Sequence, residues 1–223
     1  MKEEGFIGGS SFTTPEDDNK ELISPPNAPL PDKVKSNIQV CSVVHSEEFL
    51  NEKQCDAILN SLLPDLWIDG GVEGNVQGKK DIKNIRSCKQ QGLPMTSEGW
   101  PYTYILDIIQ QANNMKYNFE LSGIMNYDSP MVVRYNKKDH YDWHIDVGKE
   151  YSNRKLSFII QLSDPDWYDG GDIEFLGSVV KTEIFRKKGT IIIFPSFLGH
   201  RITPVKKGER HSIVGWVHGP TFV

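Results

Sequence analysis

The sequence predicts a mainly β domain with supporting helices (α+β), of sandwich or jelly-roll type. Three observations predict it. Two stretches in the first half repeat apolar residues at helical spacing. From about residue 118 the chain becomes short β-rich runs punctuated by Gly, Pro, Asp and Asn. A length of 223 residues without internal repeats suits one domain of this class, with a well-buried core. The expected organisation is an extended or disordered N-terminal arm over 1–36, then a single domain over 37–223. Within it, 45–117 would be helical support packed on one sheet and 118–223 the jelly-roll core.

The arm carries Gly8-Gly9, Asp17-Asp18, Pro25-Pro26, Pro29 and Pro31, a composition that favours loop over packed structure. Ile38 to Val44 alternates loosely and is expected to be the first strand. Asn51 and Gln54 have capping-box spacing, and Cys55, Ile58, Leu59, Leu62 and Leu63 form an apolar stripe that Pro64 ends. Residues 68–80 are polar and Gly-rich, a loop. Ile82 to Cys88 suggests a short strand. A second helix is expected to begin near Pro101, a favourable first-turn residue, with Tyr104, Ile105, Ile108, Ile109, Ala112 and Met115 on its apolar face. The strands expected beyond are 121–127, 131–135, 141–146, 156–162, 172–175, 179–184, 190–194, 200–204 and 212–218.

Composition excludes several functions. The net charge is -5, and no basic stretch is interleaved with aromatics, which argues against nucleic acid. Cys41, Cys55 and Cys88 form no Cys-x-x-Cys pair, so a zinc ribbon or dithiol redox site is not expected. A low, odd cysteine count fits a reducing compartment. The N-terminus has no apolar signal region and no run of eighteen apolar residues occurs, so a cytoplasmic location without membrane insertion is expected.

The stretch Arg134 to Asp146 ends in His144-Ile145-Asp146. On an extended chain, residues two apart project to the same side, so an imidazole and a carboxylate would stand together. A second imidazole would complete two His and one carboxylate on one face of a metal, a set that leaves open positions and suits non-haem Fe(II). His140-Tyr141-Asp142 has the same spacing, so spacing alone does not choose between the pairs. His200 follows the apolar run Ile191 to Phe194 and the turn residues Pro195 and Gly199, and can return on a neighbouring strand. Arg210 opens the otherwise apolar strand toward Trp216. A buried guanidinium there could grip a carboxylate with a two-pronged hydrogen bond.

From about 131 to 218 these residues resemble the iron- and 2-oxoglutarate-dependent dioxygenases, the prolyl 4-hydroxylase-like group and its PKHD-type members. Arg134, Tyr135, Tyr141, His144 and Asp146 match the family's first motif, with Lys138 where a glycine is usual. Leu162-Ser163-Asp164-Pro165, Gly170-Gly171-Asp172, Phe194-Pro195, His200 and Gly208-x-Arg210-x-Ser212 match the rest. The resemblance implies a distorted double-stranded β-helix. It implies Fe(II) held by His144, Asp146 and His200, which selects that pair over His140 and Asp142. It implies 2-oxoglutarate as cosubstrate, its far carboxylate on Arg210, with Tyr135 hydrogen-bonding it and Gln161 standing where relatives often have a tyrosine. The resemblance also implies O2 as the oxidant and allows ascorbate as an accessory reductant. The expected reaction is hydroxylation of an unactivated C–H on a prolyl or other peptidyl residue, with release of succinate and CO2. The alternatives are hydroxylation of a small molecule or free amino acid, and a non-catalytic metal-binding jelly roll.

Overall fold

Asn51 sets the first helix. Its side chain accepts from Gln54 N at 3.0 Å, and the Gln54 side chain accepts from Asn51 N at 2.9 Å, closing a capping box. The computed structural model describes residues 41–71, 84–148, 150–177 and 182–222. The expected arm over 1–36 lies outside these, as do residues 38–40 of the first expected strand and residues 72–83.

In chain order the elements are β1 (Val44–Ser46), α1 (Glu52–Asn60), β2 (Ile68–Asp69), β3 (Arg86–Ser87), β4 (Lys89–Gly92), α2 (Tyr102–Ala112), β5 (Met131–Tyr135), β6 (His140–His144), β7 (Arg154–Gln161), β8 (Tyr168–Gly170), β9 (Ile173–Phe175), β10 (Ile191–Pro195), β11 (His200–Ile202), β12 (Val205–Gly208) and β13 (Arg210–His218). A seven-stranded sheet runs β1-β10-β7-β13-β5-β4-β2, and a four-stranded sheet runs β3-β6-β11-β9. All pairings are antiparallel. The fold is mainly β, a jelly roll.

Strand alternation divides the large sheet into two faces. Leu156, Phe158 and Ile160 of β7, with Ile191, Ile193, Ile213 and Val217, share one buried cluster with Cys55 and Ile58 of α1 and Ile105, Ile109 and Ala112 of α2. Ile159 of β7, with Val133, Tyr135, Ile192 and Phe194, shares a second cluster with Ile173, Phe175 and Ile202 of the small sheet. Every residue of β7 is buried because both of its faces are covered. The second cluster lies between the sheets, and the site is built at its edge.

Several expectations move. Among the described residues the first strand runs Val44–Ser46, past the expected end at Val44, and residues 41–43 precede it without strand structure. The first helix ends at Asn60, with the Ser61 hydroxyl donating to Ile58 O at 2.7 Å, so Leu63 falls beyond the stripe and is 57% exposed. Tyr104 and Met115 do not belong to the buried face of α2. Ile105, Ile109 and Ala112 take that face, and a π turn over Asn113–Tyr117 carries Met115 outward. Residues 121–127 form no strand beyond a bridge of Gly123 to His218. Of the expected strand 179–184, residues 179–181 lie outside the described residues and the rest falls in a 3-10 turn over Thr182–Phe185. The segment expected as helical support also contributes β1 to β4, and β8 and β12 were not expected as separate strands. Lys138 adopts φ 77°, the left-handed conformation a glycine would favour, with its N–H on Val205 O at 2.8 Å. No helix among the described residues is long and apolar enough to cross a membrane.

Candidate active site

His144 ends β6, and His200 opens β11 directly opposite it in register. Asp146 lies two residues past His144, where its N–H donates to Ser196 O at 2.8 Å. The donor atoms of His144, Asp146 and His200 all lie within 4.8 Å of one another. Each imidazole Nδ1 faces a backbone carbonyl, Asp142 O at 2.8 Å for His144 and Leu198 O at 3.0 Å for His200. A carbonyl only accepts, so Nδ1 carries the proton and Nε2 presents its lone pair. Both Nε2 atoms stand 3.6 Å from an Asp146 oxygen, too far for a hydrogen bond but right for converging on one point.

Electrostatics favour the ligating form of Asp146 and of His200. Burial alone would raise the Asp146 carboxyl, but His200 and His144 beside it and the Ser157 hydroxyl, 2.6 Å from Oδ2, hold it well below the usual range. Burial pushes His200 down to about 4 against the attraction of Asp146, so it is neutral at physiological pH. Ser157 also contacts Ser196 Oγ at 3.0 Å, a second layer that fixes the carboxylate.

The spacing ambiguity is resolved by position. His140 reaches Lys138 O and Asn84 O, and the Asp142 carboxylate caps Trp143 N. Neither is part of the cluster. The β6–β11 register steps from His200↔His144 to Ile202↔Tyr141, two residues against three. This β-bulge brings Tyr141 and His144, which a regular strand would point to opposite faces, onto the same side. Their rings stack at 3.5 Å and 12°.

Deeper between the sheets lies Arg210, 1% exposed, opposite Tyr135 on β5. Its Nε, Nη1 and Nη2 have no hydrogen-bond partner among the described residues, and Cζ stands 5.5 Å from the Tyr135 ring centroid. Gln161 Oε1, Thr190 Oγ1 and Ser212 Oγ are buried and unpartnered too. Gln161 pairs in register with Ser212, and Gln161 N donates to Thr190 O, so these side chains form a polar row across β10, β7 and β13. A buried guanidinium beside three orphaned polar groups fits an anionic ligand with a carboxylate end. Two glycines shape the pocket. Gly171 (φ 65°) would place a Cβ 3.1 Å from Arg210 Cδ, and one at Gly208 (φ 74°) would run into the Trp167 carbonyl.

A cavity of about 640 Å³ opens over His144 and Asp146, lined also by Tyr127, Tyr141, Arg154 and Trp216. The Arg154 guanidinium lies 3.6 Å from the Trp216 ring centroid and 3.8 Å from that of Tyr151. It binds both Asp128 oxygens at 2.7 Å and Asp146 O at 3.1 Å. His218 contacts Asp128 Oδ2 at 2.9 Å.

Sequence reasoning missed Ser157, Thr190, Asp128 and Arg154. A polar residue at the inward positions of an apolar strand was the signal for Ser157. Asp128 and Arg154, 26 residues apart, gave none.

Residues 130–218 of the chain match the family model of the 2OG-Fe(II) oxygenase superfamily. The chain is similar to PKHD-type hydroxylases. It is 38% identical over 99 residues to a PKHD-type hydroxylase of Hyphomonas neptunium, a match covering 42% of this chain and 44% of that protein. The chain therefore spans less than half the length of that relative. A PKHD-type hydroxylase of Aliarcobacter butzleri is 27% identical over 183 residues, 78% of this chain and 77% of the relative. A Trichoplax adhaerens prolyl hydroxylase, solved with a peptide fragment of the hypoxia inducible factor oxygen degradation domain, superposes with a TM-score of 0.65. That match has 19% identity and covers 82% of this chain and 86% of the other; it supports the fold.

Proposed function

We propose that this protein is an Fe(II)- and 2-oxoglutarate-dependent dioxygenase that hydroxylates a prolyl or other peptidyl residue. One observation carries the reading: a His-Asp-His cluster and a buried, unpartnered arginine share the space between two sheets. A structural metal site needs no such anion anchor. The balanced reaction takes a substrate C–H, O2 and 2-oxoglutarate to the C–OH, succinate and CO2.

His144, Asp146 and His200 would hold Fe(II), which supplies O2 activation when bound. Arg210 would pair with the far carboxylate of 2-oxoglutarate, with Ser212, Thr190 and Gln161 completing its hydrogen bonds and Tyr135 covering one side. Burial pushes the Tyr135 hydroxyl up, so it stays protonated and donates. The packed second cluster would keep water from the anion. Helices α1 and α2 would act as a rigid backing for the large sheet. Ascorbate would serve only to restore reduced metal after unproductive turnover.

The peptide assignment rests on the open cavity, flanked by Tyr127, Tyr151 and Trp216, and on the peptide held by the Trichoplax protein. A ring such as proline packs well on aromatic faces. The test is incubation with Fe(II), 2-oxoglutarate and O2 against a library of proline-containing peptides, reading succinate and a 16-Da mass gain on the peptide (one oxygen atom). Coupled gain on a peptide supports the reading. Succinate coupled only to a free amino acid or other small molecule replaces the substrate class. Tight metal binding with no 2-oxoglutarate binding turns the assignment to a non-catalytic site.

A further inference from the structure

Arg86 belongs to no motif described so far, yet it reaches the metal cluster in two steps. It stands on β3 opposite Tyr141 of β6. Three contacts fix its guanidinium: Nε donates to Cys88 Sγ at 3.2 Å, Nη1 to Gly71 O at 2.8 Å, and Nη2 to Gln90 Oε1 at 3.0 Å. With all three nitrogens engaged the planar fork cannot rotate, and a lysine could not reproduce it. Arg86 Cζ lies 4.8 Å from the Tyr141 ring centroid, within cation–π range. The same ring stacks on His144 at 3.5 Å.

His144 needs this support more than His200 does. His200 is 4% exposed and packed by Phe194 and Phe175, at 4.7 and 6.2 Å between ring centroids. The His144 side chain is 14% exposed at the cavity mouth, and its Nδ1 contact with Asp142 O does not by itself stop the imidazole tilting about that contact. A tilt would swing Nε2 off the point shared with Asp146 and His200. The Tyr141 ring blocks it, but only while Tyr141 itself is held against the opening.

We propose that Arg86 is a positioning residue for the metal centre, acting on His144 through Tyr141. The inference rests on the reading of His144, Asp146 and His200 as a metal site. Outer groups that orient a metal-ligating histidine typically change metal affinity by about 10- to 100-fold.

The test is anaerobic Co(II) titration, followed by the visible absorption that reports ligand number and geometry and needs no turnover. Arg86→Gln and Arg86→Lys are expected to weaken Co(II) binding by about 10-fold or more and to alter the spectrum. Tyr141→Phe, which keeps the ring, should bind like wild type, whereas Tyr141→Leu should lose as much as Arg86→Gln. The double variant Arg86→Gln/Tyr141→Leu should lose no more than Tyr141→Leu alone, because the two residues act in series. Urea melts of each apo variant separate this from unfolding. Lysine keeps charge and stem, so a fold defect in the glutamine variant leaves Arg86→Lys to decide. Wild-type affinity and spectrum in both Arg86 variants would overturn the inference, as would losses that add in the double variant. If wild type and His200→Ala both fail to bind Co(II), the metal-site reading falls and takes this inference with it.

Discussion

Replacing Arg210 by Met should have two effects of opposite sign. The guanidinium is 1% exposed, and none of its nitrogens has a partner among the described residues. An arginine buried to hold a fold is paired, and losing it destabilises. An arginine buried to meet a ligand leaves the apo protein carrying an uncompensated charge, which costs about 1–3 kcal/mol or more. Methionine keeps the apolar stem beside Gly171 and removes that cost. Apo Arg210→Met should therefore be more stable by at least about 1 kcal/mol, a rise in Tm of about 2–4 °C for a chain of this size. Losing one member of a buried charged pair costs about 2–5 kcal/mol of binding, roughly 30-fold to several thousand-fold in the Kd for 2-oxoglutarate. The assay is urea unfolding with and without 2-oxoglutarate in the presence of Co(II). Ligand at 100 times its Kd stabilises wild type by about 2.7 kcal/mol, and at that concentration the variant should shift by no more than about 0.9 kcal/mol. A variant destabilised by 2 kcal/mol or more that retains the wild-type ligand shift would refute the reasoning.

Other consequences follow from the same contacts. Asp128→Ala strands the Arg154 guanidinium and should cost about 3–5 kcal/mol in urea melts; a loss below about 1 kcal/mol would mean that solvent compensates Arg154. Ser157→Ala removes the hydroxyl on Asp146 Oδ2 and should weaken Co(II) binding about 10-fold with little change in stability, measured by titration and melt together. Burial first, then the positive Arg134 and Arg210, push His211 down to about 4. Between pH 6.5 and 4 the unfolded chain takes up a proton that folded His211 does not, so its contribution to stability is complete above pH 6.5 and is lost as pH falls. The loss is on the order of 3 kcal/mol, and His211→Leu should flatten apo stability over that window. An unchanged pH slope would show that His211 titrates normally.

Much of the site could be read from the chain because it depends on local geometry. Residues two apart on an extended segment share a side, and His144 and Asp146 obey that rule. The rule could not reject His140 and Asp142, which obey it equally. The choice depends on His200 pairing with His144 across the small sheet and on the bulge that follows, both of them tertiary. Helix α1 was legible because its cap is a local hydrogen-bond pair. The end of α2 was not, because nothing in Asn113 to Tyr117 announces the π turn. β12 was missed because three of its four residues are exposed, so Val-Lys-Lys-Gly looks like a turn. Nothing in the sequence marked Arg154, since its ion-pair partner Asp128 is 26 positions away (154 − 128) and His218, which shares that carboxylate, is 90 positions from Asp128 (218 − 128).

What sequence alone could not supply was which polar groups would be left without partners. Buried polar atoms in folded proteins are nearly always satisfied, so each exception asks for a cause. Here nine buried side-chain atoms lack partners among the described residues, and six of them belong to Arg210, Gln161, Thr190 and Ser212. Scattered exceptions would suggest imperfect packing. These lie on adjoining strands and include a full positive charge, so one anionic ligand would satisfy them together. The metal cluster stands toward the cavity and the arginine pocket lies deeper. A dicarboxylate with one end able to meet a metal would serve both. On this argument the pocket, more than the triad, excludes the smaller 2-oxo acids, because pyruvate would leave Arg210 as exposed to desolvation as it is without ligand.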